Sequence, residues 1–450
     1  IRVDTRGREV MRILPRNNDA VNEEWITDKT RHVADGLRTQ RLDHAYVRRN
    51  GRLEPATWTE ALDLVAKKLT GTAPERIGAI AGDLCGAEEM FALKSLLAAR
   101  GVTNLDCRQD GAKLDPALGR ASYLFNSTIE GIEKADAILL VGTNPRLESA
   151  VLNGRIRKRW RHGGVSIGLV GAPADLTYGA DHLGTSPDTL IEIAEGKSAF
   201  SGILRQAQHP MVIVGMGAVA RPDGAAVLAL AARIARDAMA GKDAGWNAFN
   251  VLHTAASRVG GLDLGFVPGE GGLDVPGMMA AANEGRLDVL YLLGADEIDM
   301  NRLGKAFVIY QGTHGDAGAH RADATYVNLE GRAQMTAKAA FAPGEAREDW
   351  TILRQLSAVM GATLPFDDMR QLRAQMFKAA PTLAALDSVS PAAASGVERL
   401  AERTGKIEDT PFTSPIRDFY MTNPIARASA VMAELSIIKA GSGRIRAAAE

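Results

Sequence analysis

Asp136-Ala-Ile-Leu-Leu-Val-Gly142 is the stretch that decides the architecture. Its apolar run is strand-sized and does not alternate with polar residues, which predicts a strand buried on both faces. A helix is expected to follow, continuing through Arg155 to Trp160, and a second apolar run, Val165 to Val170, comes after it. Strand, helix, strand at this spacing is the unit of a parallel sheet covered by helices.

The pattern recurs on both sides. Ile77-Gly-Ala-Ile-Ala81, Met211-Val-Ile-Val-Gly215, Asp288-Val-Leu-Tyr-Leu-Leu-Gly294 and Ala306-Phe-Val-Ile-Tyr310 read as strands. Trp58 to Leu69 has helical spacing, with Thr57 as N-cap and Glu60 completing a capping box. Ala87 to Arg100 is an amphipathic helix closed by Gly101, and Gly224 to Ala240 is an Ala-rich one. These are too many strands for one modest sheet, so the expected class is α/β with two doubly wound domains. Ahead of them lies a polar, turn-rich segment with β-like runs around Gly7 and a hairpin signal at Asn50-Gly51. Beyond about Glu345 strand signals vanish. Helices are expected over 345–360 and 367–377. Ser388 to Pro415, rich in Ala, Ser, Pro and Thr, reads as a lightly packed arm laid over a neighbour.

Composition narrows the function. The 450 residues carry 53 Lys+Arg against 54 Asp+Glu, a formal net charge of −1, which argues against a dedicated nucleic-acid binder. Two cysteines, Cys85 and Cys107, cannot supply the roughly four ligands of an iron–sulfur cluster. No window approaches the ~18 apolar residues of a membrane-spanning helix. The chain starts at Ile1 without a signal-peptide pattern, within a hairpin, and so reads as having lost something in front of it.

Candidate chemistry is sparse. Ligands of α/β sheets sit at the carboxyl ends of strands, where three loops stand out: Val141-Gly-Thr-Asn-Pro-Arg146, Gly215-Met-Gly-Ala218 and Gly294-Ala-Asp-Glu297. Gly142, Thr143 and Asn144 could offer backbone N–H groups to an anion. Gly215-x-Gly217 is a weak dinucleotide fingerprint, better explained as a strand-to-helix turn. His314 and Asp316 could pair for acid–base work, but a lone His in a Gly-rich loop is more often a turn residue. The eight histidines form no metal-binding spacing, and no nucleophile motif is present. Arg155-Ile-Arg-Lys-Arg-Trp-Arg161 holds five cations in seven residues and reads as a solvated helix surface, with a subunit interface as its expected role.

Longer motifs carry a family resemblance. Asp28-Lys-Thr-Arg31, Asp35-Gly-Leu37, Gln40-Arg-Leu42, Tyr46-Val-Arg48 and Trp58-Thr-Glu-Ala-Leu62 resemble the N-terminal part of molybdopterin oxidoreductases, Gly142-Thr-Asn-Pro145 their pterin-nucleotide loop, and Asn328-Leu-Glu-Gly-Arg-Ala-Gln334 a motif near their cofactor. Val10-Met-Arg-Ile-Leu-Pro-Arg16, Asn22-Glu-Glu-Trp-Ile26, Asp175-Leu-Thr-Tyr178, Asp181-His-Leu-Gly184, Tyr310-Gln-Gly312, Arg347-Glu-Asp-Trp350 and Asp418-Phe-Tyr-Met-Thr422 are similar to one branch. That branch is the large iron–sulfur subunit family of NADH:quinone oxidoreductase, respiratory complex I.

The resemblance implies two interleaved doubly wound α/β domains of the formate dehydrogenase-like type. The first combines residues 45–127 with 287–365, and the second, 128–286, is inserted between them. A β-rich segment, 1–44, precedes them and a helical and extended arm, 366–450, follows. It further implies a non-catalytic scaffold with no cofactor of its own, in a protein whose one [2Fe–2S] and two [4Fe–4S] clusters lie upstream of Ile1. Partners would be peripheral-arm subunits, including the flavin-bearing NADH-binding subunit, on the cytoplasmic face of a bacterial inner membrane or the matrix face of a mitochondrial one. Gly142, Thr143, Asn144, Glu330 and Arg332 become candidates for a relic pterin pocket. Arg108 to Lys113 offers no thiolate or hydroxyl for molybdenum, and Cys107 sits early for that role. The competing expectation is a working molybdopterin-dependent oxidoreductase of the formate dehydrogenase or nitrate reductase type. At His320 to Tyr326 the family has a longer loop, so residues are expected to be missing between Asp323 and Ala324.

Overall fold

The computed structural model describes residues 1–7, 9–243, 245–314, 324–339 and 341–447, with side chains to residue 440. The loop through Asp323 and Asp316 of the proposed His/Asp pair lie outside the described residues. Two hairpins open the chain: Arg2–Arg6 (β1) with Glu9–Leu14 (β2), and Ala45–Arg49 (β3) with Arg52–Ala56 (β4). In the second turn Asn50 and Gly51 have φ of 49° and 81°, the left-handed pair that a tight two-residue hairpin turn requires.

Then come Ile77–Ala81 (β5), Asn104–Asp106 (β6), Ala137–Val141 (β7), Ser166–Val170 (β8), Asp181–Gly184 (β9), Pro210–Gly215 (β10) and Phe249–Leu252 (β11). Val289–Leu293 (β12), Phe307–Gln311 (β13) and the small hairpin Thr325–Val327 (β14) with Ala333–Met335 (β15) follow. One sheet has the order β13-β12-β5-β6 and another β11-β10-β7-β8-β9, and every pairing in both is parallel. The α/β reading with two doubly wound sheets is thus what the chain adopts. β5 and β7 are buried at every position, because helices cover both faces. The strand order reverses between β12 and β5 in the first sheet and between β10 and β7 in the second. These are the switch points at which ligands of such sheets bind.

β6 and β11 escape a reading of apolar runs because buried polar residues interrupt them. Asn104 Nδ2 donates to the Glu75 and Ile77 carbonyls at 3.0 and 2.9 Å, and Asn250 Nδ2 donates to Ser127 Oγ at 3.0 Å. The helix Trp58–Thr70 starts as expected, with Thr57 Oγ1 accepting the Glu60 N–H at 3.2 Å. The Glu60 carboxylate, however, pairs with Arg49, so that half of the capping box is missing. The basic helix Ala150–Arg161 is a correction. Arg155 is buried and donates to the Ala20 and Asp19 carbonyls, with Glu23 and Glu133 beside it. Lys158 pairs with the same two glutamates, and Arg159 caps the Ala135, Gly163 and Gly164 carbonyls. Most of this charge finds its partners inside the chain rather than on a solvated face.

The C-terminal helices are Asp349–Val359 and Met369–Ala379. The arm beyond them lies over the second sheet of this same chain: Ser395–Ala401 is helical, and the stretch after it is extended. The end of the chain then returns to its beginning. Lys29 Nζ donates to Phe419 O and Thr422 Oγ1 at 3.0 and 2.7 Å, and Ser429 Oγ donates to Asp35 at 2.5 Å.

Candidate functional site

The loop after β7 turns at Gly142, whose φ of +55° and the Ala218 Cβ, 2.7 Å from where its own Cβ would stand, leave no room for a side chain. The Thr143 hydroxyl and the Asn144 N–H both point at a carboxylate, as an anion-binding loop would. That carboxylate is the chain's own: Glu148 accepts from Thr143 Oγ1 and from Asn144 N, each at 2.7 Å. Burial holds the Glu148 carboxyl above the ordinary range, partly offset by these two bonds. Across the switch point, a Cβ on Gly217 would meet Thr413 O at 2.3 Å and Gly142 O at 2.6 Å. Backbone from the C-terminal arm therefore fills the crevice.

Glu330 and Arg332 stand elsewhere. Glu330, 2% exposed, accepts from Ile129 N at 2.9 Å and from Arg332 Nε at 3.0 Å, and Arg332 also donates to the Asp387 carbonyl. They tie the β14–β15 turn to chain leading into the amino end of β7, whereas Gly142 to Asn144 leave its carboxyl end. Among the described residues no hydrogen bond or ion pair joins the two groups.

The first sheet's switch point is closed by contact: a Cβ on Gly82 would lie 1.8 Å from Gly294 O. Around it gather residues that sequence spacing does not single out. Arg258, fully buried, donates to Asp110 at 2.9 Å and stands 3.8 Å from Asp83 and from Met216 S. Burial pushes the Asp83 carboxyl up to about 6 against the pull of Arg258. It also holds His253, whose Nε2 meets the Tyr123 carbonyl at 2.6 Å, down to about 4. This cluster, one buried cation between two partly exposed carboxylates, is scattered over four loops, so no local motif announces it. Next to it, Asp296 pairs with Arg427 at 2.5 Å, and burial pushes its carboxyl up to about 7. His314 is not the turn residue expected: it is fully buried, forms an antiparallel bridge with Arg41, and sets its Nε2 2.9 Å from the Gly36 carbonyl.

The molybdopterin oxidoreductase family model matches residues 41–359. The chain belongs to the molybdopterin oxidoreductase family. Its residues 385–435 match the model of the C-terminal part of the G subunit of NADH-ubiquinone oxidoreductase, and residues 1–35 the NADH-ubiquinone oxidoreductase NDSU1/NuoG-like 4Fe-4S domain. The chain is 42% identical to the mitochondrial NADH dehydrogenase [ubiquinone] iron-sulfur protein 1 of Solanum tuberosum, over 97% of its own length and 60% of the relative's. It is 43% identical to the NADH-ubiquinone oxidoreductase 78 kDa subunit of Neurospora crassa, covering 98% and 61%. Against the G subunit of the NADH-quinone oxidoreductase of Rickettsia conorii it is 41% identical, covering 96% and 64%. The chain thus spans about three fifths of the relatives it matches. Acetylene hydratase from Pelobacter acetylenicus shares the fold, with a TM-score of 0.52 at 12% identity over 93% of this chain and 74% of that one.

The family's molybdenum cofactor does not fit the residues present. The Thr143 and Asn144 donors are committed to Glu148, and Thr413 O stands over Gly217. Cys107 is fully buried, its Sγ 2.7 Å from where a Cβ on Gly261 would be, and burial pushes its thiol up to about 12. A metal-binding thiolate needs the opposite environment.

Proposed function

We propose that this chain is the cysteine-poor part of the large iron–sulfur subunit of a proton-translocating NADH:quinone oxidoreductase, and that it works as a non-catalytic scaffold. The observation that carries this reading is the 41–43% identity sustained over 96–98% of the chain to subunits of such oxidoreductases. The self-occupied crevice of the second sheet supports the non-catalytic half of it. The chain's role is to hold the cluster-bearing part of the protein, which carries electrons from NADH, through flavin on another subunit, towards quinone. One [2Fe–2S] and two [4Fe–4S] clusters belong to that other part. Gly142, Thr143, Asn144, Glu330 and Arg332 are read as structural remnants of a pterin pocket. The division into 1–44, 45–127 with 287–365, 128–286 and 366–450 is proposed with one adjustment. The return to the first sheet begins ahead of residue 287, because the helix Val275–Asn283 packs among Ile80, Leu290 and Leu292.

Among the described residues no helix is long and apolar enough to cross a membrane. The position proposed is peripheral, on the cytoplasmic face of a bacterial inner membrane or the matrix face of a mitochondrial one, docked on other peripheral-arm subunits including the flavin-bearing one. Affinity purification of the tagged full-length protein tests both halves. The expected result is co-purification of the flavin subunit with iron and without stoichiometric molybdenum or tungsten. One molybdenum or tungsten per chain would overturn the scaffold reading, and purification without partners would overturn the assembly.

A further inference from the structure

Residues 402–413 follow the helix Ser395–Ala401 without regular structure, and most of them are exposed. Such a stretch would ordinarily be loose. Here it is gripped. The Arg221 guanidinium donates to the carbonyls of Glu408 at 3.0 Å, Thr410 at 2.7 Å and Pro411 at 3.4 Å, and to Thr410 Oγ1 at 2.8 Å. Asp223 steadies that guanidinium through two bonds of 2.8 and 2.9 Å and accepts the Glu408 N–H at 2.8 Å. Phe412 is 2% exposed, lies 5.2 Å beneath the Arg221 guanidinium, and donates its N–H to the Thr185 carbonyl at 2.8 Å. One residue on, Thr413 O enters the space that any side chain on Gly217 would need.

We propose that residues 408–413 are a built-in peptide ligand of the second sheet, a strap read through its main-chain carbonyls by Arg221 and anchored by Phe412. It closes the crevice between β10 and β7. The inference deepens the scaffold reading and rests on it: the end of the sheet that binds exchangeable ligands in doubly wound proteins is held by a tethered one. Tethering makes the occupant's effective concentration high, so modest contacts suffice to keep it docked. Main-chain recognition tolerates side-chain change, and the single buried ring sets the register.

The test uses the full-length protein with the strap undocked from its own side, by Phe412→Gly together with Thr410→Gly, leaving Arg221, Asp223 and Gly217 intact. Trypsin should then cut after Lys406 roughly tenfold faster than in the native protein, since cleavage follows the population of the open form. The amides of 215–219 should exchange faster in parallel. A synthetic peptide of residues 407–414 added in trans should slow the exchange of 215–219 while cleavage after Lys406 stays fast, because it takes the crevice in place of the tethered strap. The same peptide carrying Phe412→Gly should slow neither. Cleavage and exchange at native rates would overturn the proposal, as would a native peptide that fails to slow the exchange of 215–219 in a folded, undocked chain. If circular dichroism shows the double variant unfolded, Arg221→Gln replaces it, and unchanged rates there would count equally against the strap. Metal content judges the scaffold reading separately, so either can fail alone.

Discussion

At the residue scale, Asp296 shows burial outweighing a neighbouring cation. Its side chain is 4% exposed against Arg427, yet its carboxyl is pushed up to about 7, because desolvation and the adjacent Glu297 oppose ionisation more than Arg427 favours it. A carboxyl whose folded value exceeds its unfolded one binds its proton more tightly when folded, so its contribution to stability falls as pH rises from about 4 to 7. At 1.36 kcal/mol per pH unit the penalty above pH 7 is at most roughly 4 kcal/mol. Asp296→Asn should therefore raise the Tm more at pH 8 than at pH 5, and equal shifts at both pH values would contradict the assignment. Two glycines separate backbone strain from steric exclusion. A Cβ on Gly51, at φ +81°, meets nothing within 4 Å, whereas one on Gly82 strikes the Gly294 carbonyl. Gly51→Ala should cost about 1–2 kcal/mol, the penalty of a left-handed residue. Gly82→Ala should cost more than about 4, because two backbones must part. Urea unfolding of the two variants measures the contrast.

At the scale of elements, the helix Ala150–Arg161 separates charge that holds the fold from charge that does not. Arg155 is buried between two carbonyls and two carboxylates, while Arg157 is exposed and, among the described residues, donates to the Thr177 carbonyl alone. Arg155→Ala should cost about 3 kcal/mol by leaving partners unpaired in a buried site, and Arg157→Ala within about 0.5. Denaturant midpoints that move equally would show the helix to be uniformly superficial. From the sequence these two arginines are indistinguishable, since a cationic run shows helical spacing but not which face meets the N-terminal segment. Strands were legible wherever burial demanded an unbroken apolar run, as in Ala137–Val141. They were illegible where a buried amide took the place of an apolar side chain, as at Asn104 and Asn250. The loop at Gly142 was legible as an anion-binding shape. That its anion is Glu148 was not, because a carboxylate five residues from Thr143 reads equally well as a helix surface charge.

At the scale of the whole molecule, Arg258 lies where loops of both sheets meet. Asp83 follows β5 and Asp110 follows β6 in the first sheet, while Met216 follows β10 and His253 follows β11 in the second, and all four surround one buried guanidinium. Burial opposes its charge, but Asp110 and Asp83 hold it firmly protonated. Arg258→Met keeps much of the volume and removes the charge, leaving the two carboxylates of the first sheet's loops to repel each other with no cation between them. The loss is expected to be about 2 kcal/mol at pH 8, less than for a fully buried pair because both carboxylates keep some contact with solvent. It should shrink at pH 5. Without Arg258 the Asp83 carboxyl rises further above its value of about 6, and a group so raised takes up its proton in acid and ceases to repel Asp110. Unfolding by urea, followed both by circular dichroism and by tryptophan fluorescence, measures the loss and how it is distributed. Trp58 leads into the first sheet, and the Trp246 indole bonds Pro210 O at the start of β10. If Arg258 couples the sheets, the two probes should separate in Arg258→Met and coincide in the native protein. Coincident transitions in the variant, or a loss that does not depend on pH, would place the coupling in the apolar core that the two sheets share rather than in this one cation.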